Sequence, residues 1–125
     1  MPVSIFEITQ RPLRGAPCLA FRGELDIADV PRLEHALDAA IAETIGVFLV
    51  DLCELEFLDS SGIRLLLRAR ALLGREDRTL VLICPPGPVQ RALEVTGVVD
   101  LFTIYASRAA AARALVPVEP NGAPG

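Results

Sequence analysis

The sequence predicts a single α/β domain: an open mixed sheet of about five strands, one edge antiparallel, packed with about four helices. Apolar runs of strand length at residues 47–52, 79–84 and 101–105 alternate with stretches of helical periodicity, the pattern of parallel strands joined by helical crossovers. Two short strand-like stretches near the start are separated only by turn residues, as in a hairpin, which sets one antiparallel edge. The chain has 125 residues, 52% of them hydrophobic, enough for one real core. With five Phe, one Tyr and no Trp, aliphatic side chains must fill most of it.

Residues 3–8 (V-S-I-F-E-I) partly alternate and read as an edge strand. Residues 11–17, with two Pro and a Gly, form the turn. Residues 18–22 (C-L-A-F-R) then pair back, and Gly23-Glu24-Leu25-Asp26 closes the strand. Asp29 is an N-cap candidate with Pro31 in the first turn behind it. Leu33, Leu37, Ala40 and Ile41 form one apolar stripe, so residues 30–43 should be an amphipathic helix that Gly46 ends. The run 47–52 (V-F-L-V-D-L) has the composition of a strand buried on both faces. A helix over 61–73 follows, with Gly74 as its stop signal. Residues 79–84 (T-L-V-L-I-C) make the next buried strand, broken by Pro85-Pro86-Gly87-Pro88. Pro88 suits a first helical position, and Gly97 terminates that short helix, whose apolar marks are Val89, Ala92 and Leu93. Residues 101–105 are the last strand, and Ser107 caps an alanine-rich helix reaching Leu115. The domain thus spans 1–115, and the Pro/Gly-rich residues 116–125 should be a disordered tail.

The organising stretch is Phe57-Leu58-Asp59-Ser60-Ser61-Gly62-Ile63-Arg64, where the central strand hands over to a leucine-rich helix. Either Asp59 or Ser60 can serve as the N-cap. A helix start gathers unpaired N–H groups and partial positive charge, so a serine there tolerates a phosphate without melting the helix behind it. In open α/β sheets the loops after strand ends usually carry function, and both Asp26 and residues 59–62 fall in such loops.

Asp59-Ser60-Ser61-Gly62 and the upstream Gly23-Glu24-Leu25-Asp26 resemble the paired signatures of the STAS domain, and more narrowly those of bacterial anti-sigma factor antagonists. The similarity runs over residues 5–115 and includes the order and spacing of the elements. It implies a STAS-like sheet and a phosphorylation site at Ser60, the first serine of the D-S-[ST]-G motif. It also implies a partner surface, read here as Gly23, Asp26, Asp59, Ser61, Gly62, Ile63 and Arg64. From residue type alone Asp26 is a cap or turn residue and Gly23 a backbone requirement. Gly62 would permit close approach of a partner or its nucleotide. Arg64 departs from the small residue common at this position. It reads first as part of a solvated face shared with Arg68, and second as a cation four residues from Ser60, within reach of a phosphate there.

Other classes find little support. A net charge of −4 disfavours nucleic acid, which calls for a basic stripe. No apolar run approaches the roughly 20 residues of a membrane span, and no signal peptide is legible; a cytoplasmic protein is expected. Cys18, Cys53 and Cys84 have wide spacing and no C-x-x-C, so neither zinc nor a disulfide framework follows. All three read as buried core filler in a reducing compartment. His35 is alone and off the apolar stripe. With no G-x-S-x-G elbow, no serine hydrolase is expected, and no P-loop or G-x-G-x-x-G is present.

The resemblance therefore implies a non-enzymatic regulator of transcription without cofactor or metal. Its unphosphorylated form would bind an anti-sigma factor, a GHKL-type serine kinase, and free a sigma factor. Phosphorylation of Ser60 would end binding, and a PP2C-like phosphatase would restore it. The alternatives are an interaction module of a stressosome-like scaffold, or a small anion- or nucleotide-binding domain.

Overall fold

The computed structural model of the chain describes residues 5–115. One sheet contains β1 (Glu7–Gln10), β2 (Cys18–Glu24), β3 (Phe48–Phe57), β4 (Leu80–Ile83) and β5 (Thr103–Tyr105), adjacent in chain order. β1 runs antiparallel to β2 and every other pairing is parallel, as the sequence predicts. Helices α1 (Val30–Ala42), α2 (Ser60–Gly74) and α3 (Pro88–Val95) fill the three crossovers, and α4 (Arg108–Ala114) follows β5.

Strand side chains alternate between two apolar clusters. Leu19, Phe21, Phe48, Val50, Leu52 and Leu82 pack with the buried stripes of α1 (Leu33, Leu37, Ile41), α2 and α3. On the other side Cys18, Leu49, Val81 and Ile83 meet Ala111 of α4. The start of β3 is thus covered on both faces, and Phe48, Leu49 and Val50 are wholly buried.

Several boundaries differ from the sequence reading, each for a physical reason. The first strand begins at Glu7 and runs on to Gln10, paired through Gln10↔Leu19. Phe6 leaves the strand pattern to pack edge-on against Phe21, ring centroids 5.8 Å apart; Val3 and Ser4 lie outside the described residues. The hairpin turn places Arg14 and Gly15 at positive φ. β3 is longer than predicted because β2 keeps pairing with it, Arg22↔Glu54 and Glu24↔Phe57, after β4 has stopped opposite Asp51. Gly74 is the last residue of α2 rather than a left-handed stop; that conformation falls on Asp77 (φ 57°). Leu101 belongs to a 3-10 turn, so β5 starts at Thr103. Ser107 caps α4 as predicted, accepting from the Ala110 N–H at 3.0 Å. The expected tail 116–125 lies outside the described residues.

Two arginines that composition left looking like surface decoration are structural. The Arg78 side chain, 5% exposed, donates to the carbonyls of Ile41 and Gly46 and to Thr44 Oγ1, each at 2.8 Å, closing the α1–β3 connection. Arg68 holds Asp38 and Glu34 of α1, pinning the two helices together. The same hydrogen bond lowers the Asp38 carboxyl below its ordinary range.

Candidate functional site

β2 and β3 are parallel neighbours whose last paired residues are Glu24 and Phe57. The chain therefore leaves both strands at the same end of the sheet and at the same level. After β2 come Leu25, Asp26 and a 3-10 turn, Ile27–Asp29; after β3 come Leu58, Asp59 and the start of α2. Leu25 and Leu58 turn inward and are buried. Both close on Gly62: a Cβ there would lie 2.5 Å from Leu58 Cδ1 and 3.1 Å from Leu25 Cδ2. The glycine thus lets the two loops pack together. Within the chain, the close approach it permits is made by these two leucines.

The N-cap question resolves to Asp59. Its backbone is extended (φ −103°, ψ −173°), and Oδ1 accepts the N–H groups of Ser61 at 3.0 Å and Gly62 at 3.1 Å. Such a cap stabilises a helix by about 1 kcal/mol. Ser60 is the first residue of α2 and exposed, while Ser61 is half-buried. Asp26 is exposed at the mouth of the 3-10 turn, its N–H donating to Asp29 Oδ2 at 3.0 Å. Asp29 precedes α1 as predicted, but its carboxylate turns back to Asp26 and to Arg32 instead of capping that helix.

Gly23 meets the backbone requirement expected of it. Its φ is +91°, and a Cβ would stand 2.2 Å from the Ile5 carbonyl oxygen. Ile63 is 6% exposed and belongs to the core, so its side chain is not on the surface where a partner would meet it. Arg64 is exposed and has no ion pair with the described residues; Arg68, one turn further along the same face, is turned to Glu34 and Asp38 of α1. Of the residues singled out, Asp26, Ser60 and Arg64 are exposed around the two loops, with Asp59 and Ser61 half-buried beside them.

The structure adds two residues to this surface. Ile27, next to Asp26, is 75% exposed, and Phe57, at the end of β3, is 52% exposed. Large apolar side chains left in water at strand ends are candidate contact points. The signal for Ile27 was its place outside the α1 stripe. Phe57 was hidden because it sat one residue before an apolar turn. Around them Glu24, Asp26, Glu54 and Glu56 give the rim an acidic character.

Other chemistry is distant from this end. A cavity of about 430 Å³ is lined by Gln10, Pro17, Cys18, Glu43, Thr44 and Phe48, at the opposite end of the strands. It lends the small-ligand alternative nothing at the strand-end surface. His35 is exposed on α1, as expected. No group of His, Cys, Asp or Glu among the described residues could hold a metal, and no described helix is long and apolar enough to cross a membrane. Cys18 and Cys84 are buried, but Cys53 is exposed, which corrects the view of all three as core filler. Partial burial and then the Asp51 carboxylate push the Cys53 thiol up to about 12. Burial lifts the Cys84 thiol to about 11.

The STAS domain family's sequence pattern matches residues 7–111, spanning every strand and most of α4. This chain belongs to the STAS domain family. Among its relatives, the anti-sigma-B factor antagonists of Staphylococcus aureus and Staphylococcus epidermidis are each 29% identical over 82 residues, covering 66% of this chain and 76% of the relative. An anti-sigma factor antagonist from Mycobacterium paratuberculosis superposes with a TM-score of 0.76 at 25% identity, over 87% of this STAS domain chain and 95% of its own. SpoIIAA in its unphosphorylated form, at 22% identity and a TM-score of 0.71, covers 92% of this chain and 100% of its own and shares the fold.

Proposed function

We propose that this STAS domain protein is an anti-sigma factor antagonist, a non-enzymatic regulator whose binding surface is the paired loops after β2 and β3. In its unphosphorylated form it binds an anti-sigma factor of the GHKL serine kinase class and thereby frees a sigma factor for polymerase. The kinase transfers the γ-phosphoryl group of its own ATP to Ser60 Oγ and releases ADP. A PP2C-like phosphatase hydrolyses the ester and restores the active form. The one observation that carries this reading is Ser60: it is exposed at the first position of α2. The relatives' names support the partner class.

The modification adds about −1.5 to −2 charges at neutral pH. Placed in an interface it must be desolvated against groups fitted to a neutral hydroxyl, and like-charge juxtaposition there costs several kcal/mol. Each 1.4 kcal/mol corresponds to about tenfold in affinity. The switch is exclusion at the surface, not refolding. Titration calorimetry of the anti-sigma factor against unmodified, Ser60→Ala and phosphorylated protein tests it. Ser60→Ala should bind as the unmodified protein does, and the phosphorylated form at least about a hundredfold more weakly. Equal affinities, or a main phosphate on Ser61 by site mapping, would overturn the assignment.

A further inference from the structure

We propose that Arg64 is an intramolecular clamp for a phosphate on Ser60, folding the modified side chain back along α2 instead of leaving it free in solvent. This rests on the phosphorylation reading above and adds to it a cation supplied by the same chain.

α2 is continuous from Ser60 to Gly74. Ser60 and Arg64 are four residues apart, so they stack on one face with Cβ atoms roughly 5–6 Å apart. That gap is within reach of a guanidinium and a phosphoryl group. Arg64 is exposed and has no ion pair with the described residues. The other arginines around this end are committed. Arg68 holds Glu34 and Asp38, Arg32 holds Asp29 and the Phe6 carbonyl, and Arg22 holds Glu7 and Glu54.

The helix start cannot do this work unaided. Asp59 Oδ1 already takes the Ser61 and Gly62 N–H groups, and the Ile63 N–H donates to the Asp59 carbonyl at 3.0 Å. Of the donors that usually receive an anion at a helix N-terminus, those of Ser61 and Gly62 are therefore occupied. The charges on the two loops packed over the start of α2 are mostly of the wrong sign: Glu24, Asp26, Asp29, Glu56 and Asp59. A phosphate on Ser60 enters an acidic neighbourhood in which the Ser61 and Gly62 donors are already used. Arg64 offers the planar, two-pronged donor set that suits phosphate oxygens.

The test uses full-length chain carrying phosphoserine installed at position 60 during translation, so no kinase is needed. A ³¹P NMR titration reads the second phosphate ionisation in the wild type, Arg64→Gln and Arg64→Lys. The wild-type transition should lie about 0.3 pH unit below that of Arg64→Gln, the size expected of one i,i+4 ion pair on an open helix. Arg64→Lys should fall between, and the gap should close in about 1 M salt. Coincident wild-type and Arg64→Gln transitions at low salt would overturn the clamp. A kinase that never labels Ser60 would instead remove the phosphorylation reading and leave this measurement untouched.

Discussion

Removing Arg108 should unfasten α4 from the sheet and cost about 3 kcal/mol of stability. Asp51 lies on the α4 side of β3 and is 1% exposed. Its Oδ2 receives Arg108 Nη1 at 2.9 Å and its Oδ1 the Cys53 N–H at 2.9 Å. Arg108 also donates to the carbonyls of Arg11 and Pro12, tying the hairpin turn to α4. Deleting one partner of a buried pair typically costs about 3–5 kcal/mol, because the remaining charge is stranded. The lower end applies here: Arg11 Nη1 stays 4.0 Å from Oδ2 on a side chain 49% exposed. At about 4 °C per kcal/mol for a domain of this size, the melting temperature of Arg108→Ala falls by about 12 °C.

The pH dependence follows from the Asp51 carboxyl. Burial alone would raise it, but the bonds from Cys53 and Arg108 outweigh burial and hold it below its ordinary value. A carboxyl depressed in the folded state contributes stability that is complete above its unfolded value of about 3.9 and is lost as pH falls through the folded one. Without Arg108 part of what outweighs burial is lost, so the carboxyl takes a proton at a higher pH than in the wild type, and the folded variant is relieved by it. The gap between wild type and variant is therefore widest at pH 7 and narrows below about pH 4. Urea unfolding at pH 7, 5 and 3.5 measures it. A gap under about 1 kcal/mol at pH 7, or the same gap at pH 3.5, would refute the stranded-charge reasoning.

Gly23→Ala should destabilise by at least about 2 kcal/mol, through its positive φ and the displaced Ile5 carbonyl. Gly62→Ala should cost less, about 1 kcal/mol, because the clash is with the end of the Leu58 side chain, which can move; thermal melts that reverse this order would contradict both. Cys53→Ser should leave partner affinity unchanged, and alkylation at pH 7 should be slow, since the thiol is held near 12; rapid labelling would reopen a redox role. Asp26→Ala should weaken binding to the anti-sigma factor while changing stability by no more than about 0.5 kcal/mol, as at most exposed positions. Normal binding with a lowered melting temperature would make Asp26 a structural residue of its turn.

The order of the sheet, its antiparallel edge and its helices were legible because apolar runs and glycine or proline breaks mark them. Less legible was whatever depended on a neighbour. Residues 53–57 carry two glutamates and read as the end of a strand, yet β2 supplies a pairing edge there and the strand continues. Thr9 and Gln10 gave no apolar signal because edge strands have a solvent side. Arg68 and Arg78 looked like surface charge, and only the folded chain brings Asp38, Ile41 and Thr44 to them. At the site, the sequence singled out Ser60 and Asp26 but could not separate residues that stand in the surface from those that hold it. Ile63 and Gly62 turned out to do the holding, while Ile27 and Phe57 stand exposed.

That division follows from one asymmetry in the sheet. β4 ends opposite Asp51, whereas β3 continues to Phe57 with β2 as its only strand partner. Val89 and Leu93 of α3 are buried in the same cluster as Leu52 and Leu55 of this strand. Phe57 and Asp59 are thereby carried beyond the last rung of β4, where no strand on that side can cover them. The core is already closed beneath them by Leu25, Leu55, Leu58 and Ile63. The helix cap at Asp59 is likewise complete without any contribution from the Ser60 hydroxyl. A group added to Ser60 therefore breaks no bond of the resting fold, and its free energy can only be felt by charges beside it or by a molecule docked on top. This is the arrangement a surface switch needs: the central strand stays rigid because it is buried early in its course, and its overrun presents a serine whose chemistry the fold does not use.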